Sequence, residues 1–245
     1  MAIENIRFIM INTSHPGNIG AAARVMKNMG LSRLYLVAPK RYPDPEATAM
    51  ASGADDLLAQ AVVCNTLEEA LEGCHLVLGS TARERKIAHE FLDARAAGEL
   101  VQEEAIKQQV AMVFGRERTG LTNEETGLCH KLINIPANPD YSSLNVASAM
   151  QIAAYEIMMA GLLMETEPDD AAMLTERSVD YASSDAMEKF YGHLEQTLIT
   201  IDFLNPQQSP QLMPKLRQLF NRTRLKQEEL NILRGILTST QKRSR

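Results

Sequence analysis

Six short apolar runs punctuate the chain, at residues 6–11, 33–38, 61–64, 75–80, 110–114 and 131–136. Each is rich in Val, Ile and Leu, and helix-like segments separate them. Continuous apolar strands alternating with helices predict an α/β fold, a parallel sheet with helices on both faces. The helices carry their own punctuation. In "TLEEALEG" Thr66 and Glu69 have the spacing of a capping box and Gly73 is the stop; "LTNEETGLCH" repeats the box with Thr122 and Glu125. Residues 143–164, "SLNVASAMQIAAYEIMMAGLLM", read as a long helix capped by Ser142 or Ser143. Small and apolar residues surround most of that helix, which predicts burial on more than one side, against a second copy or deep within the chain.

The pattern then changes. Residues 165–183 are acidic and without clear period, and read as a linker. Three helical stretches follow, at about 184–203, 213–222 and 226–241, with Pro206, Pro210 and Pro214 breaking the first two apart. The predicted organisation is a domain over 1–164, a linker over 165–183 and a small helical domain over 184–245.

A chain of 245 residues, 45% hydrophobic and 23% charged, can bury a sizeable core. No run approaches the roughly 18–20 uncharged apolar residues of a membrane span, and "MAIENIRF" lacks the basic and apolar segments of a secretion signal. Cys64, Cys74 and Cys129 form no CxxC pair, as expected of reduced thiols in a cytoplasmic protein. Net charge is −6, but Gln211 to Arg245 holds nine Lys/Arg against two Asp/Glu. That segment is +7 and the other 210 residues −13. An acidic body with a basic tail predicts a nucleic-acid contact surface on the tail.

Several chemistries are excluded by spacing. The first strand-to-helix turn, Gly17-Asn18-Ile19-Gly20-Ala21-Ala22-Ala23-Arg24, is not the G-x-G-x-x-G of a dinucleotide binder, and no acidic residue ends the second strand. "GRERTGLT" approaches a phosphate loop, but Leu121 stands where the lysine is needed. The five histidines show no HxH or HxxxH spacing, so no metal is expected. No G-x-S-x-G elbow presents a serine nucleophile. What remains is three loops at strand ends, "GSTARER", "FGRERTGL" and "IPANPDYSSLN", each mixing glycine or proline with hydroxyls, amides and charges. Open α/β sheets build their sites at that edge. Ser142, Ser143 and Asn145 also stand at a helix N-terminus, which favours anionic groups.

"NIGAAAR", "VFGRERTGLTNEE" and "IPANPDYSSLNVASAMQIAAYE" together resemble the three signature motifs of the SPOUT methyltransferases, the α/β-knotted enzymes that use S-adenosylmethionine. The tail segments "FYGHLEQTL" and "ELNILRGIL" extend the likeness to bacterial tRNA ribose 2′-O-methyltransferases within that family, over nearly the whole chain. The resemblance implies a C-terminal trefoil knot in the sheet domain, a homodimer with a site built across two subunits, and methylation of cytidine or uridine at position 32 of the tRNA anticodon loop.

It also implies roles for residues. Ser80, Thr81, Ala82, Gly115, Glu117, Ile135, Ser143, Leu144 and Asn145 would bind the donor, with backbone groups of Gly115 and Ile135 suited to adenine and Glu117 ordering its loop. Arg24 would be catalytic, with Asn18, Ser142 and Asn145. Guanidinium offers only donors, so Arg24 is expected to grip an RNA phosphate and stabilise the developing alkoxide, with Asn18 orienting it. Arg83 and Arg85 would touch RNA beside the donor loop, and Lys215, Arg217, Arg222, Arg224 and Arg234 would hold the tRNA body. The competing readings are a family member acting on ribosomal RNA or another tRNA site, and a non-catalytic RNA-binding relative.

Overall fold

The computed structural model describes residues 2–82, 90–166 and 179–243. Seven parallel strands form one sheet: β1 (Ile6–Ile11), β2 (Arg33–Val37), β3 (Val62–Cys64), β4 (Cys74–Ser80), β5 (Phe91–Leu92), β6 (Gln109–Phe114) and β7 (Lys131–Ile133), in the spatial order β3-β2-β1-β6-β4-β7-β5. All six expected strands are present. The seventh, β5, has only two residues pairing with Leu132 and Ile133 of β7, too few to produce a readable apolar run.

Strand alternation divides the core. Ile6, Phe8 and Met10 point to one face, where they pack with α1 (Pro16–Asn28), α2 (Pro45–Ala51), α3 (Asp55–Ala59), α5 (Ala94–Ala105) and α7 (Val146–Thr166). Ile9, Ile11, Val77 and Val113 point to the other, under α4 (Leu67–Leu71) and the segment around α6 (Asn123–Gly127). Gly20 lets α1 press onto α2: a Cβ there would lie 2.0 Å from the Ala47 carbonyl oxygen.

The long helix differs from its expectation at its start. Residues 139–141 form a single 3-10 turn, Ser142 and Ser143 lie outside any helix, and α7 begins at Val146. Asn145 is the cap, its Oδ1 accepting from the N–H groups of Ala147 (2.9 Å) and Ser148 (3.4 Å). Met150, Ala153, Ala154 and Ile157 are buried in the core, while Tyr155 and Leu162 are 45% and 42% exposed. Intramolecular packing therefore accounts for one side of the helix. Val146–Glu165 is also long and apolar enough to cross a membrane, although no apolar run of the sequence predicts a span; half of it is buried inside the chain, as suits a core helix.

The two capping boxes part company. Thr122 and Glu125 form the reciprocal pair at α6. At α4 Thr66 accepts from Glu69 N–H, but Glu69 reaches back to the Asn65 N–H instead of that of Thr66.

The tail comprises α8 (Ser184–Thr200), α9 (Leu212–Thr223) and α10 (Gln227–Arg243). They share a core of Met187, Phe190, Tyr191, Leu194 and Leu230. Most of the expected linker lies outside the described residues, but its ends do not behave as linker. The α7 helix runs to Thr166, and Ala182 is buried, its N–H bonded to the Leu225 carbonyl. The tail rests on the α4 side of the sheet: the Ser184 hydroxyl donates to the Cys74 carbonyl and Asn221 Nδ2 to that of Gly127.

Candidate active site

The loops leaving β4, β6 and β7 enclose a cleft of about 290 Å³ at the C-terminal edge of the sheet. Ser80, Thr81, Ala82, Gly115, Glu117, Ile135, Ser142, Ser143 and Leu144 all line it. Asn145, Asn18 and Arg24 do not, and Arg83 and Arg85 lie outside the described residues. The sequence reading overlooked part of the wall: Phe114, Val146 and Ala149 supply apolar surface, and Arg118 and Thr119 stand exposed at its edge. The motif "FGRERTGL" was the available signal for those two.

The loop after β6 is held rigidly. Backbone bonds run both ways between Arg116 and Gly120 (3.2 and 2.9 Å), and Gly120 has φ +67°, a conformation glycine adopts without strain. Gly115 leaves no room for a side chain, since a Cβ would meet the Gly120 carbonyl carbon at 2.2 Å. Arg116 grips Glu125 with both guanidinium nitrogens at 2.9 Å. Because Glu125 is also half of the α6 capping box, loop and helix are fixed by one carboxylate.

Glu117 reaches across to the first turn. Its carboxylate accepts from the backbone N–H of Ser14 (3.1 Å), the Ser14 hydroxyl (3.1 Å), the backbone N–H of His15 (3.3 Å) and Asn18 Nδ2 (3.0 Å). Asn18 Oδ1 in turn accepts from Asn145 Nδ2 at 3.0 Å, and Asn145 caps α7. One polar chain thus joins all three motifs. Burial pushes the Glu117 carboxyl up, but hydrogen bonds from its own backbone N–H, Asn18, His15 and Ser14 outweigh this and hold it below its usual range.

Within the chain, Asn18 is thus engaged at both ends of its amide by Glu117 and Asn145, and no hydrogen bond joins it to Arg24 of the same chain among the described residues. Arg24 lies six residues further along α1, exposed to solvent.

Two of the five tail cations are paired with carboxylates within the chain. Arg217 is bidentate to Glu188, with its guanidinium carbon 4.4 Å from the Tyr191 ring centroid. Arg224 is bidentate to Glu104 of α5 at 2.7 and 3.0 Å, lies over the Tyr181 ring, and is only 13% exposed. Each of these cations is neutralised by a carboxylate of the same chain. Lys215, Arg222 and Arg234 remain exposed.

Comparison with known proteins matches this architecture part by part. Residues 5–155 match the SpoU rRNA Methylase family and residues 185–245 the C-terminal domain of the tRNA methyltransferase TrmJ. The tRNA (cytidine/uridine-2'-O-)-methyltransferase TrmJ of Pectobacterium atrosepticum is 49% identical over 98% of both chains. The tRNA (cytidine/uridine/adenosine-2'-O-)-methyltransferase TrmJ of Pseudomonas aeruginosa is 47% identical over 99% of this chain and 96% of its own. The crystal structure of TrmJ from Z. mobilis ZM4 superposes with a TM-score of 0.82 at 32% identity, covering 95% of this chain and 97% of that one. With both halves of the chain matched in order and over nearly their full length, the protein belongs to the SpoU rRNA methylase family, in its TrmJ branch.

Proposed function

We propose that this chain methylates the 2′-hydroxyl of a pyrimidine ribose at position 32 of the tRNA anticodon loop, with S-adenosylmethionine as donor. The observation that carries the reading is the cleft whose walls are the second and third motifs, tied through Asn18 to the first. The full-length likeness to tRNA 2′-O-methyltransferases gives the reaction and the RNA.

The cleft suits the donor chemically. It offers apolar surface at Phe114, Leu144 and Val146 for a flat ring, backbone polar groups at Gly115 and Ile135, and hydroxyls at Ser80, Thr81, Ser142 and Ser143. When bound, the donor supplies an already activated sulfonium methyl. The chain's own task is then to place the ribose hydroxyl in line and to stabilise charge on its oxygen. Glu117, Asn18 and Asn145 hold the loop, α1 and α7 in one geometry, and Ser142 stands in the wall where the hydroxyl would enter.

Arg24 lies outside the cleft of its own chain, so this reading takes the serving Arg24 from a second copy in a homodimer. The exposed Tyr155 and Leu162 of α7 and Met50 of α2 supply apolar surface for that contact. Lys215, Arg222 and Arg234 are the tail's remaining candidates for tRNA phosphates. The reading includes a trefoil knot, supported by the crossed order β6-β4-β7 and the convergence of the loops leaving those strands. Domains spanning 1–164 and 184–245, and work in the cytoplasm, complete it; the three cysteines are buried and unpaired.

Nucleoside mass spectrometry of tRNA incubated with the chain and donor tests the proposal. The expected product is one 2′-O-methylated pyrimidine nucleoside mapping to position 32; methylation elsewhere, or none, overturns it.

A further inference from the structure

The proposed function leaves open how RNA is gripped beside the cleft, and the cations there divide sharply. Arg116 is consumed by Glu125 and Arg41 by Asp44, at 3.1 and 2.7 Å. Arg118 and Lys40 are exposed, and their side chains carry no hydrogen bond or ion pair among the described residues.

These two cations belong to one edge. Arg118 follows β6 and Lys40 follows β2, with β1 between those strands. The loop after β1 joins them physically. Ser14 bonds to Glu117, the neighbour of Arg118, and the Lys40 N–H donates to the Thr13 carbonyl at 3.0 Å. Adjacent strands stand about 4.8 Å apart, so the loops bearing the two cations are offset by roughly 10 Å. The base of this edge is fixed: Asn12 and Ala38 end β1 and β2 in the left-handed region, at φ +50° and +43°. The Asn12 N–H is bonded to Val37 and that of Ala38 to Cys64. Asparagine enters that conformation readily, whereas an alanine holds it only at a cost that the surrounding bonds must offset.

We propose that Lys40 and Arg118 form a phosphate rail that carries the RNA backbone past the cleft on its β1–β2 side. The inference rests on the proposed function and adds a binding surface in the sheet domain, separate from the basic tail. Two exposed cations on loops offset by two strand spacings, roughly 10 Å, along one fixed edge and without a carboxylate partner among the described residues, suit a polyanion with regularly spaced phosphates. A single small anion would need them convergent.

The test is binding of an unmodified tRNA transcript to the full chain, titrated between about 50 and 200 mM salt, with donor affinity measured in parallel by calorimetry. Lys40→Gln and Arg118→Gln should each weaken tRNA binding about threefold to tenfold and reduce the slope of log affinity against log salt by about one. Donor affinity should not change, and Arg41→Gln, which removes a paired cation, should leave the slope alone. Unchanged slopes in both variants overturn the rail. So does a loss of donor affinity in Arg118→Gln with the tRNA slope intact, which assigns Arg118 to the donor. Failure of the unsubstituted chain to bind tRNA at all rejects the proposed function itself.

Discussion

Asn18 donates to Glu117 at 3.0 Å across 99 residues of chain, and through it the turn after β1 is locked to the loop after β6. Four donors of the first turn converge on this carboxylate, so their bonds require it ionised. Its folded pKa lies below the ordinary 4.5, so the stabilisation is complete above that value and is lost as pH falls through the lower folded one. Asn18→Asp replaces the donor with a second carboxylate facing Glu117. It should impair donor binding more than Asn18→Ala does, and calorimetry at pH 7 compares the two; equal effects would show that the amide is not engaged with Glu117.

Gly115→Ala forces a Cβ into the Gly120–Leu121 backbone at 2.2–2.4 Å. The loop must open, so donor affinity should fall by at least tenfold, about 1.4 kcal/mol. Calorimetry reads this directly, while the circular dichroism of the sheet domain should persist.

Arg24→Lys keeps the charge but loses the planar fork that grips a phosphate in two places. Single-turnover methylation should slow by about tenfold or more with donor affinity unchanged. Turnover close to that of the unsubstituted enzyme would remove Arg24 from the chemistry.

The Arg224–Glu104 pair is only 13% and 16% exposed and ties the tail helices to α5. Because Arg224 itself sits at φ +48°, Glu104→Gln isolates the ion pair without touching that backbone. It should cost about 1–3 kcal/mol and lower the melting temperature by roughly 2–4 °C for each kcal/mol. If the pair serves the fold alone, the salt dependence of tRNA binding should stay the same; a changed slope would assign Arg224 to the tRNA.

His130 is buried, its Nδ1 accepting from the Val77 N–H at 3.0 Å, so the ring is neutral in the folded chain. Burial, then the nearby Arg224 and His75, push its pKa down to about 3 from the ordinary 6.5. The unfolded chain binds the extra proton, so stability is complete above about pH 6.5 and falls as pH drops toward 3, by at most about 1.4 kcal/mol per pH unit. Urea midpoints between pH 7 and 5.5 should decline less steeply in His130→Gln.

Much of this protein follows from its sequence alone. The six apolar runs, the Thr122–Glu125 box and the prolines of the tail act over a few residues, where strand propensity and capping decide the outcome. The three cleft loops were legible for a similar reason: glycines, hydroxyls and amides gather where strands end, and an α/β sheet brings those ends to one edge. Pairings across long separations were not legible. Nothing local indicates that Glu117 faces Ser14, that Asn145 rather than Ser143 caps α7, or that Arg217 and Arg224 are neutralised while Lys40 and Arg118 meet no partner among the described residues. The sequence determined where charge lies along the chain. Only the tertiary structure decided which charges meet a partner, because an ion pair depends on distance in space.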